Sequence, residues 1–170
     1  NFRTDGRGGG TAFVYKSNLL FSVCNVTTDI PITSFGYTTA SFKLAADIKL
    51  CLVCVYRTGP VTKCFFEEYN NFMQAIALKS DYVIVGGDFN IHVETSNSFS
   101  SQLLDIMESY GFSQIVNQPT HQLGGTIDLI FDNSNLLDTE SLKVHTDDHL
   151  SDHFPITCKT KEVIVDHKEA

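Results

Sequence analysis

The sequence contains no apolar run that approaches the ~20 residues needed to cross a bilayer, so no membrane-spanning segment is expected. It also lacks internal repeats, low-complexity segments and linkers, and its 170 residues are therefore expected to form one domain. The N-terminal residues have no signal-peptide core, which favours a nuclear or cytoplasmic protein. Charged residues make up only 19% of the chain and hydrophobic residues 42%, which predicts a packed core rather than disorder.

Positive charge is scarce as well. Twelve Lys and Arg residues face twenty Asp and Glu residues, giving a net charge of −8. This balance argues against a protein that holds nucleic acid mainly through a broad basic surface. It fits a carboxylate-rich site that takes a metal ion, but an ordinary acidic surface would give the same balance.

The five cysteines are odd in number, and two of them form a CxxC pair, Cys51 and Cys54. A redox or zinc pair needs a turn that exposes both thiols. Here the pair lies within an apolar run that is typical of a strand. The pattern therefore predicts buried free thiols in a reducing compartment.

The apolar pattern predicts several strands, then a helix, a strand, a second helix and several short strands. The predicted strands are Thr11–Tyr15, Phe35–Leu44, Asp47–Tyr56, 81–87, 113–116, 125–131, 141–146 and 154–160, with a tight connection at Ala45-Ala46. This order predicts helices packed on a mixed or mostly antiparallel sheet.

Both helices are predicted from apolar residues at helical spacing. In the first helix, at 61–79, these residues are Phe65, Tyr69, Phe72, Met73 and Ile76, and the opposite face carries Glu67, Glu68, Asn70 and Asn71. The second helix is predicted at about Phe99–Tyr110. Ser98 or Ser100 is its expected N-cap, and Gly111 is its expected C′ residue.

Three polar clusters stand out, and the first is "GGDFN", which ends the buried strand at 81–87. Asp88 and Asn90 are two residues apart, so on extended backbone their side chains would leave the same face. A carboxylate beside an amide suits the positioning of a water molecule against a phosphate. An Asx turn that closes the strand is an equally good interpretation.

The second cluster is "GGTIDLIF", at 124–131. Thr126 and Asp128 alternate with apolar residues and would share one face of a strand. Asp is a poor strand residue, so a half-buried Asp128 needs a partner. A structural pair or a turn acceptor would also explain it.

The third cluster is "HTDDHLSDHFPITC", at 145–158. His149 and His153 are four residues apart, but the segment does not reproduce the metalloprotease motif and is flanked by strands, so a helical zinc pair is disfavoured. Asp152 followed by His153 at a strand start offers a metal-facing carboxylate beside an imidazole that titrates near neutrality. A solvated acidic loop is the alternative, above all for Asp147 and Asp148.

Taken in order, "GGDFN", "QPTHQLGGTIDLIF" and "LSDHFPI" resemble the endonuclease/exonuclease/phosphatase superfamily. The middle segment is most similar to the endonuclease domains of non-LTR (LINE-type) retrotransposons, relatives of apurinic endonucleases and deoxyribonuclease I. "RGGGTAFVYK" and "VCVYRTGP" also look like blocks of that group. The resemblance implies an α/β (α+β) fold, in which a two-sheet β-sandwich like that of deoxyribonuclease I is flanked by helices.

The resemblance also implies residue roles. Asp88 would orient or deprotonate the attacking water, and Asn90 would help to hold that water or the phosphate. His153 would contact the scissile phosphate, with Asp128 fixing its imidazole. Asp152 would lie on the metal side. Tyr56 would hydrogen-bond a phosphate oxygen, with Thr126 and Ser151 as further phosphate neighbours; the implied cofactor is Mg²⁺, with Mn²⁺ as an alternative.

The chain also departs from the family pattern. Family members begin with a strand that carries an active-site Asn and continue to a metal-binding Glu block, and neither matches this sequence. Residues 1–170 are therefore expected to be a single partial domain without its first strands, with an unpaired edge and exposed apolar surface. The resemblance implies a DNA-nicking hydrolase, weakened in this form, and as its partners it implies DNA and a reverse transcriptase fused to it in the full-length protein. The alternatives are a non-catalytic binding domain and a phosphatase of the same superfamily.

Overall fold

The computed structural model describes residues 9–44, 48–80, 82–148 and 150–161. Its elements are β1 (Phe21–Val23), β2 (Gly36–Lys43), β3 (Lys49–Tyr56), α1 (Lys63–Ala77), β4 (Tyr82–Asp88), α2 (Ser98–Ser109), β5 (Ser113–Gln114), β6 (Asp128–Asp132), β7 (Leu137–Val144) and β8 (Ile156–Thr160). No helix within these residues is long and apolar enough to cross a membrane.

The strands form two sheets. Six strands pair in the order β1-β2-β3-β4-β6-β5, and β7 pairs with β8 in a separate two-stranded sheet. All pairs in the larger sheet are antiparallel except β3 with β4, which are parallel. Parallel neighbours need a crossover connection, and α1 supplies it between β3 and β4. The sheet is therefore mixed, as predicted.

One face of the large sheet carries the hydrophobic core. Successive inward positions of the central strands are buried, among them Val53, Val55, Val83, Val85, Leu129 and Phe131. The predicted apolar face of α1 lies on this core, with Tyr69, Phe72, Met73 and Ile76 fully buried. Aromatic contacts join the layers, since Tyr69 meets Phe89 with ring centroids 5.7 Å apart. Burial of this face is the main source of helix and sheet stability.

One residue of α1 does not follow the predicted pattern. Glu68 was expected on the exposed face, but it is only 3% exposed. Its carboxylate accepts hydrogen bonds from the backbone N–H and hydroxyl groups of both Thr33 and Ser34, at 2.6–2.9 Å. Burial raises the pKa of Glu68, but these bonds outweigh burial and lower it to about 2. Glu68 thus fixes the loop before β2 to α1.

The helix caps also correct the sequence analysis. The N-cap of α2 is Asn97, not Ser98 or Ser100; its side chain accepts the N–H groups of Phe99 and Ser100. The Ser100 hydroxyl in turn accepts a hydrogen bond from the Asn97 N–H at 3.0 Å, which completes a capping box. Gly111 follows the helix with φ +79°, as its predicted C′ role requires.

Several strand boundaries differ from the predictions. Thr11–Tyr15 is not a strand, and the unpredicted β1 pairs with β2 instead. The later strands are shifted or shortened, because turn residues and paired neighbours set their ends rather than alternation alone. The predicted Ala45-Ala46 connection, Asp47 and residue 81 lie outside the described residues.

Cys51 and Cys54 are free thiols, as predicted. Cys51 is buried, and burial raises its pKa to about 12, which leaves it unreactive. Cys54 is only half-buried.

The second face of the large sheet is less completely covered. Both sheets contribute to a cavity of about 410 Å³ whose lining includes Leu52 of β3 and Thr160 of β8. Val14, on the same rim, is 99% exposed. This face therefore carries some exposed apolar surface, and the expectation that missing strands expose it stays a prediction.

Candidate active site

Three polar side chains form a row across the large sheet. Tyr56 is paired with Asp88 in the β3/β4 register, and Asp88 is paired with Asp128 in the β4/β6 register. Directly paired residues project from the same face of a sheet. The row lies on the face opposite the core, at the edge where β3 and β4 end and β6 begins. The fold thus brings together residues that are up to 72 positions apart (128 − 56).

His153, which lies outside the sheet, extends the row beside Asp128. Its Nδ1 lies 2.9 and 3.1 Å from the two carboxylate oxygens of Asp128. A carboxylate only accepts hydrogen bonds, so Nδ1 carries the hydrogen and Nε2 is left for another partner. This is the predicted partner of the half-buried Asp128. The predicted pairing of Asp128 with His153 is thus present.

The charges of the site act on one another. Burial and the Asp128 carboxylate raise the pKa of Asp88, against the Asn90 N–H and the charges of His153 and Arg57. Partial burial lowers the pKa of His153, but the hydrogen bond and charge of Asp128, followed by the charges of Asp88 and Asp152, outweigh burial and raise it. The close carboxylates of Asp88 and Asp128 favour the binding of a cation. The neighbouring His153 imidazole, whose raised pKa favours its protonated form, favours the binding of an anion on the adjacent surface.

The end of β4 is held by a buried arginine that the sequence analysis missed. Arg57 is 2% exposed. It donates to the Phe89 carbonyl from Nε at 2.6 Å and to the Asn90 carbonyl from Nη2 at 2.8 Å, and Nη1 reaches the Gly59 carbonyl at 2.9 Å. Its neighbour Tyr56 is the last residue of β3 and lies in the row, so the end of β3 contributes to the site and the next residue holds the end of β4.

Asn90 does not lie on extended backbone, which corrects one expectation. Its φ is +50°, and its N–H donates to the Asp88 carboxylate at 2.9 Å. This is the Asx turn that was one of the two interpretations of the motif. The turn holds the Asp88 carboxylate in the site, so the two interpretations are compatible. The Asn90 side chain is exposed, and its role in binding water or phosphate stays a prediction.

Thr126 lies before β6 rather than within it. Its hydroxyl is buried and donates to the Gln118 carbonyl at 3.1 Å, and its N–H donates to Glu94 at 2.9 Å. It therefore shapes the loop that leads to Asp128, and its role as a phosphate neighbour stays a prediction.

Ser151 and Asp152 lie on the other side of His153. The Ser151 hydroxyl donates to Asp152 Oδ1 at 3.2 Å and accepts the His153 N–H at 3.2 Å. Asp152 Oδ2 lies 3.3 Å from Nε2 of His121, and this hydrogen bond is the main reason that the pKa of Asp152 is lowered. His121 lies within the "QPTHQLGGTIDLIF" segment, but no pattern in the sequence marked this histidine as a residue of the site.

Within the described part of the chain, two groups of side chains could hold a metal ion. One is Asp88, Asp128 and His153, and the other is His121, Asp152 and His153; within each group the ligand atoms lie within 4.8 Å of one another. His149 lies outside the described residues.

The solved structures that resemble this chain define its fold. The 3′-5′ exonuclease NExo from Neisseria meningitidis has a TM-score of 0.58 and 15% identity, over 84% of this chain and 71% of the exonuclease. An endonuclease/exonuclease/phosphatase family protein from Leptotrichia buccalis has a TM-score of 0.56 and 16% identity, over 86% and 62%. The Xenopus laevis APE2 catalytic domain has a TM-score of 0.51 and 15% identity, over 78% and 57%. The chain therefore has the deoxyribonuclease I-like fold of the endonuclease/exonuclease/phosphatase superfamily.

The amino-acid sequence assigns the chain to one family. Residues 50–157 match the endonuclease-reverse transcriptase family, so the chain belongs to that family. The matched range contains the whole row from Tyr56 to His153. No curated protein is similar enough in sequence to count as a match.

Proposed function

We propose that this protein hydrolyses phosphodiester bonds in DNA with a bound divalent cation, as a retroelement endonuclease that nicks its target for reverse transcription. The observation that carries the proposal is the meeting of Asp88, Asp128 and His153 in one cluster, in line with Tyr56. Each residue has a place in phosphodiester hydrolysis, and each comes from a different segment of the chain.

The donor atoms fit a hard divalent cation. Asp88 and Asp128 are adjacent carboxylates, and the exposed Asp152 lies beyond His153. Burial and the second carboxylate raise the pKa of Asp88, which a cation at the cluster would reverse. Carboxylate oxygens are the ligands that Mg²⁺ prefers, with Mn²⁺ as a close substitute. Asp152 would hold the ion, the negative charges of Asp88 and Asp128 beside His153 would favour its binding, and when bound it would polarise the phosphoryl group and neutralise the leaving oxygen.

The chain's own residues would handle the water and the phosphate. Asp88, held by the Asn90 N–H, would orient the attacking water and accept its proton. His153, kept in one tautomer by Asp128, would present Nε2–H to the phosphate when protonated. Tyr56 would donate its phenol hydrogen to a phosphate oxygen. Asn90, Ser151 and Thr126 are assigned lesser contacts with water or phosphate.

DNA is the proposed substrate because of the family and its structural neighbours. The family name joins an endonuclease to a reverse transcriptase, which supports a nick that supplies a priming 3′ hydroxyl. One neighbour, at 14% identity and a TM-score of 0.56, is a Neisseria 3′ phosphatase bound to a product DNA hairpin. That neighbour also favours a second candidate, removal of a terminal 3′ phosphate from DNA, because the same groups would serve a phosphomonoester.

We expect the activity of the chain alone to be weak. Among the described residues, neither candidate metal group contains a glutamate. Glu94, for example, is already hydrogen-bonded to the Thr126 N–H and to His92. Assays therefore need high protein concentration, long incubation and Mn²⁺ in parallel with Mg²⁺.

The test is nicking of supercoiled plasmid, with release of phosphate from a 3′-phosphorylated oligonucleotide run beside it. Asp88→Asn and His153→Gln should abolish metal-dependent hydrolysis. Asp105→Asn, the same chemical change at an exposed residue of α2, is the matched control and should leave it unchanged. Nicking that survives Asp88→Asn would refute the proposal. DNA binding without any hydrolysis, in the wild-type chain with either metal, would instead favour a non-catalytic binding domain.

A further inference from the structure

A short segment that the proposed chemistry does not use connects the two halves of the site. Residues 120–122, here called the strap, run beside residues 151–154. The Thr120 carbonyl accepts the Phe154 N–H at 2.7 Å, and the Gln122 N–H donates to the Asp152 carbonyl at 2.8 Å. The fully buried Thr120 hydroxyl accepts the Asp128 N–H at 3.0 Å. The strap therefore holds the start of β6 and the loop before β8 in one arrangement.

His121, at the centre of the strap, points its ring into the site. The ring meets that of His153 edge to face, with centroids 4.9 Å apart, and the backbones of the two residues form a bridge. The His121 side chain is 16% exposed, whereas that of its partner Asp152 is 66% exposed. His121 is thus a well-packed group beside a carboxylate that would otherwise be free to rotate.

The hydrogen bonds of His121 decide its tautomer. The Leu123 N–H donates to Nδ1 at 3.2 Å, so Nδ1 carries a lone pair. In a neutral imidazole the other nitrogen then carries the hydrogen. Nε2–H therefore donates to Asp152 Oδ2 at 3.3 Å. If Nε2 instead bound a metal ion, the hydrogen would move to Nδ1 and face the Leu123 N–H, with loss of that hydrogen bond.

We propose that His121 is a positioning residue that orients Asp152 for the cation rather than binding the cation itself. Oδ1 of Asp152 accepts the Ser151 hydroxyl and Oδ2 accepts His121, so a surface carboxylate is fixed at both oxygens before any ligand arrives. Prior ordering removes part of the entropy lost on binding, and hydrogen bonds to metal ligands typically change metal affinity by about 10- to 100-fold. The inference rests on the proposed metal site.

The first test is Mn²⁺ affinity, measured by electron paramagnetic resonance without any DNA. His121→Phe keeps a ring against His153 but removes the donor, and should weaken Mn²⁺ binding at least about tenfold. His121→Gln restores a donor near the position of Nε2 and should recover most of that loss. His145→Phe, the same change at an exposed histidine outside both metal groups, is the matched control and should bind like the wild type.

The second test reads the tautomer directly, by ¹⁵N NMR of the histidines in the metal-free protein. His121 should show Nε2–H; a hydrogen on Nδ1 would overturn the inference and favour His121 as a ligand. If Asp152→Asn weakens Mn²⁺ binding and His121→Phe does not, the positioning role is wrong and the metal site stands. If neither Asp152→Asn nor Asp88→Asn changes Mn²⁺ binding, the metal site itself is wrong and the inference fails with it.

Discussion

Adding a single methyl group at Gly87 should destabilise the fold and distort the site. Its φ is +145°, a region that side chains rarely adopt. A Cβ built there would lie 1.9 Å from the Val55 carbonyl oxygen and 2.8 Å from the Val55 carbonyl carbon. Both neighbours are backbone atoms of the paired strand, so no side chain can rotate away. β4 must separate from β3 or change its backbone path.

The expected cost of Gly87→Ala follows from these two facts. Backbone strain at such a position is of order 1–3 kcal/mol. Separating the strands also loses ladder hydrogen bonds beside Val55, each worth about 1 kcal/mol net. We therefore expect the free energy of unfolding to fall by about 3–5 kcal/mol. Because Tyr56 and Asp88 are the next pair along the same ladder, the site should open as well.

Gly86→Ala is the matched control. Its Cβ would lie 3.7 Å from the nearest atom, the Leu129 carbonyl oxygen, which is ordinary contact. Alanine in a strand is favoured over glycine by roughly 0.5–1 kcal/mol, so this variant should be neutral or slightly more stable. Urea unfolding followed by circular dichroism measures both. Free energies of unfolding that agree within about 1 kcal/mol would refute the close-approach argument, since that argument rests on strain well above this value.

Three further predictions concern charged groups. Glu68→Gln should destabilise the fold by about 3 kcal/mol at pH 7, because the pKa of Glu68 is about 2 when folded against an ordinary value of 4.5. This stabilisation is present above pH 4.5 and lost as the pH falls toward 2, so unfolding curves of the two proteins should converge there; a gap independent of pH would contradict the assignment. Asp128→Asn should lower the pKa of His153, followed by NMR titration, because Asp128 is the main group that raises it; an unchanged pKa would refute the pairing. Arg57→Met should destabilise the protein by at least about 3 kcal/mol in urea, since buried carbonyls lose charged donors; Arg57→Lys should not restore it, because an ammonium cannot span the same carbonyls.

The helix and the central strands could be predicted because their signals are local. The five apolar positions of α1 repeat at helical spacing, and the Val-rich runs of β3 and β4 mark strands buried in the sheet. The pairing of Asp128 with His153 was expected from the family resemblance, since no local pattern links positions 25 residues apart. The same resemblance supplied the row of Tyr56, Asp88 and Asp128.

The groups that were missed depend on partners distant in sequence. Glu68 looks like a solvent-facing residue of an amphipathic helix, and only the loop at 33–34 makes its burial favourable. Arg57 looks like the start of a turn, and its carbonyl partners include residues more than thirty positions later. His121 has no motif, and its meaning comes from the bridge to His153. In each case the interacting residues come within reach of one another only once the chain has folded.

The central claim is that separated segments form one divalent-metal site, and the most direct test is paramagnetic broadening of ¹⁵N-labelled protein by Mn²⁺. The account predicts the strongest broadening at amides around Asp88, Asp128 and Asp152, with loss of all three effects together in Asp88→Asn. Broadening confined to another exposed carboxylate, such as Glu67 on α1, or independent responses at the three segments, would contradict it.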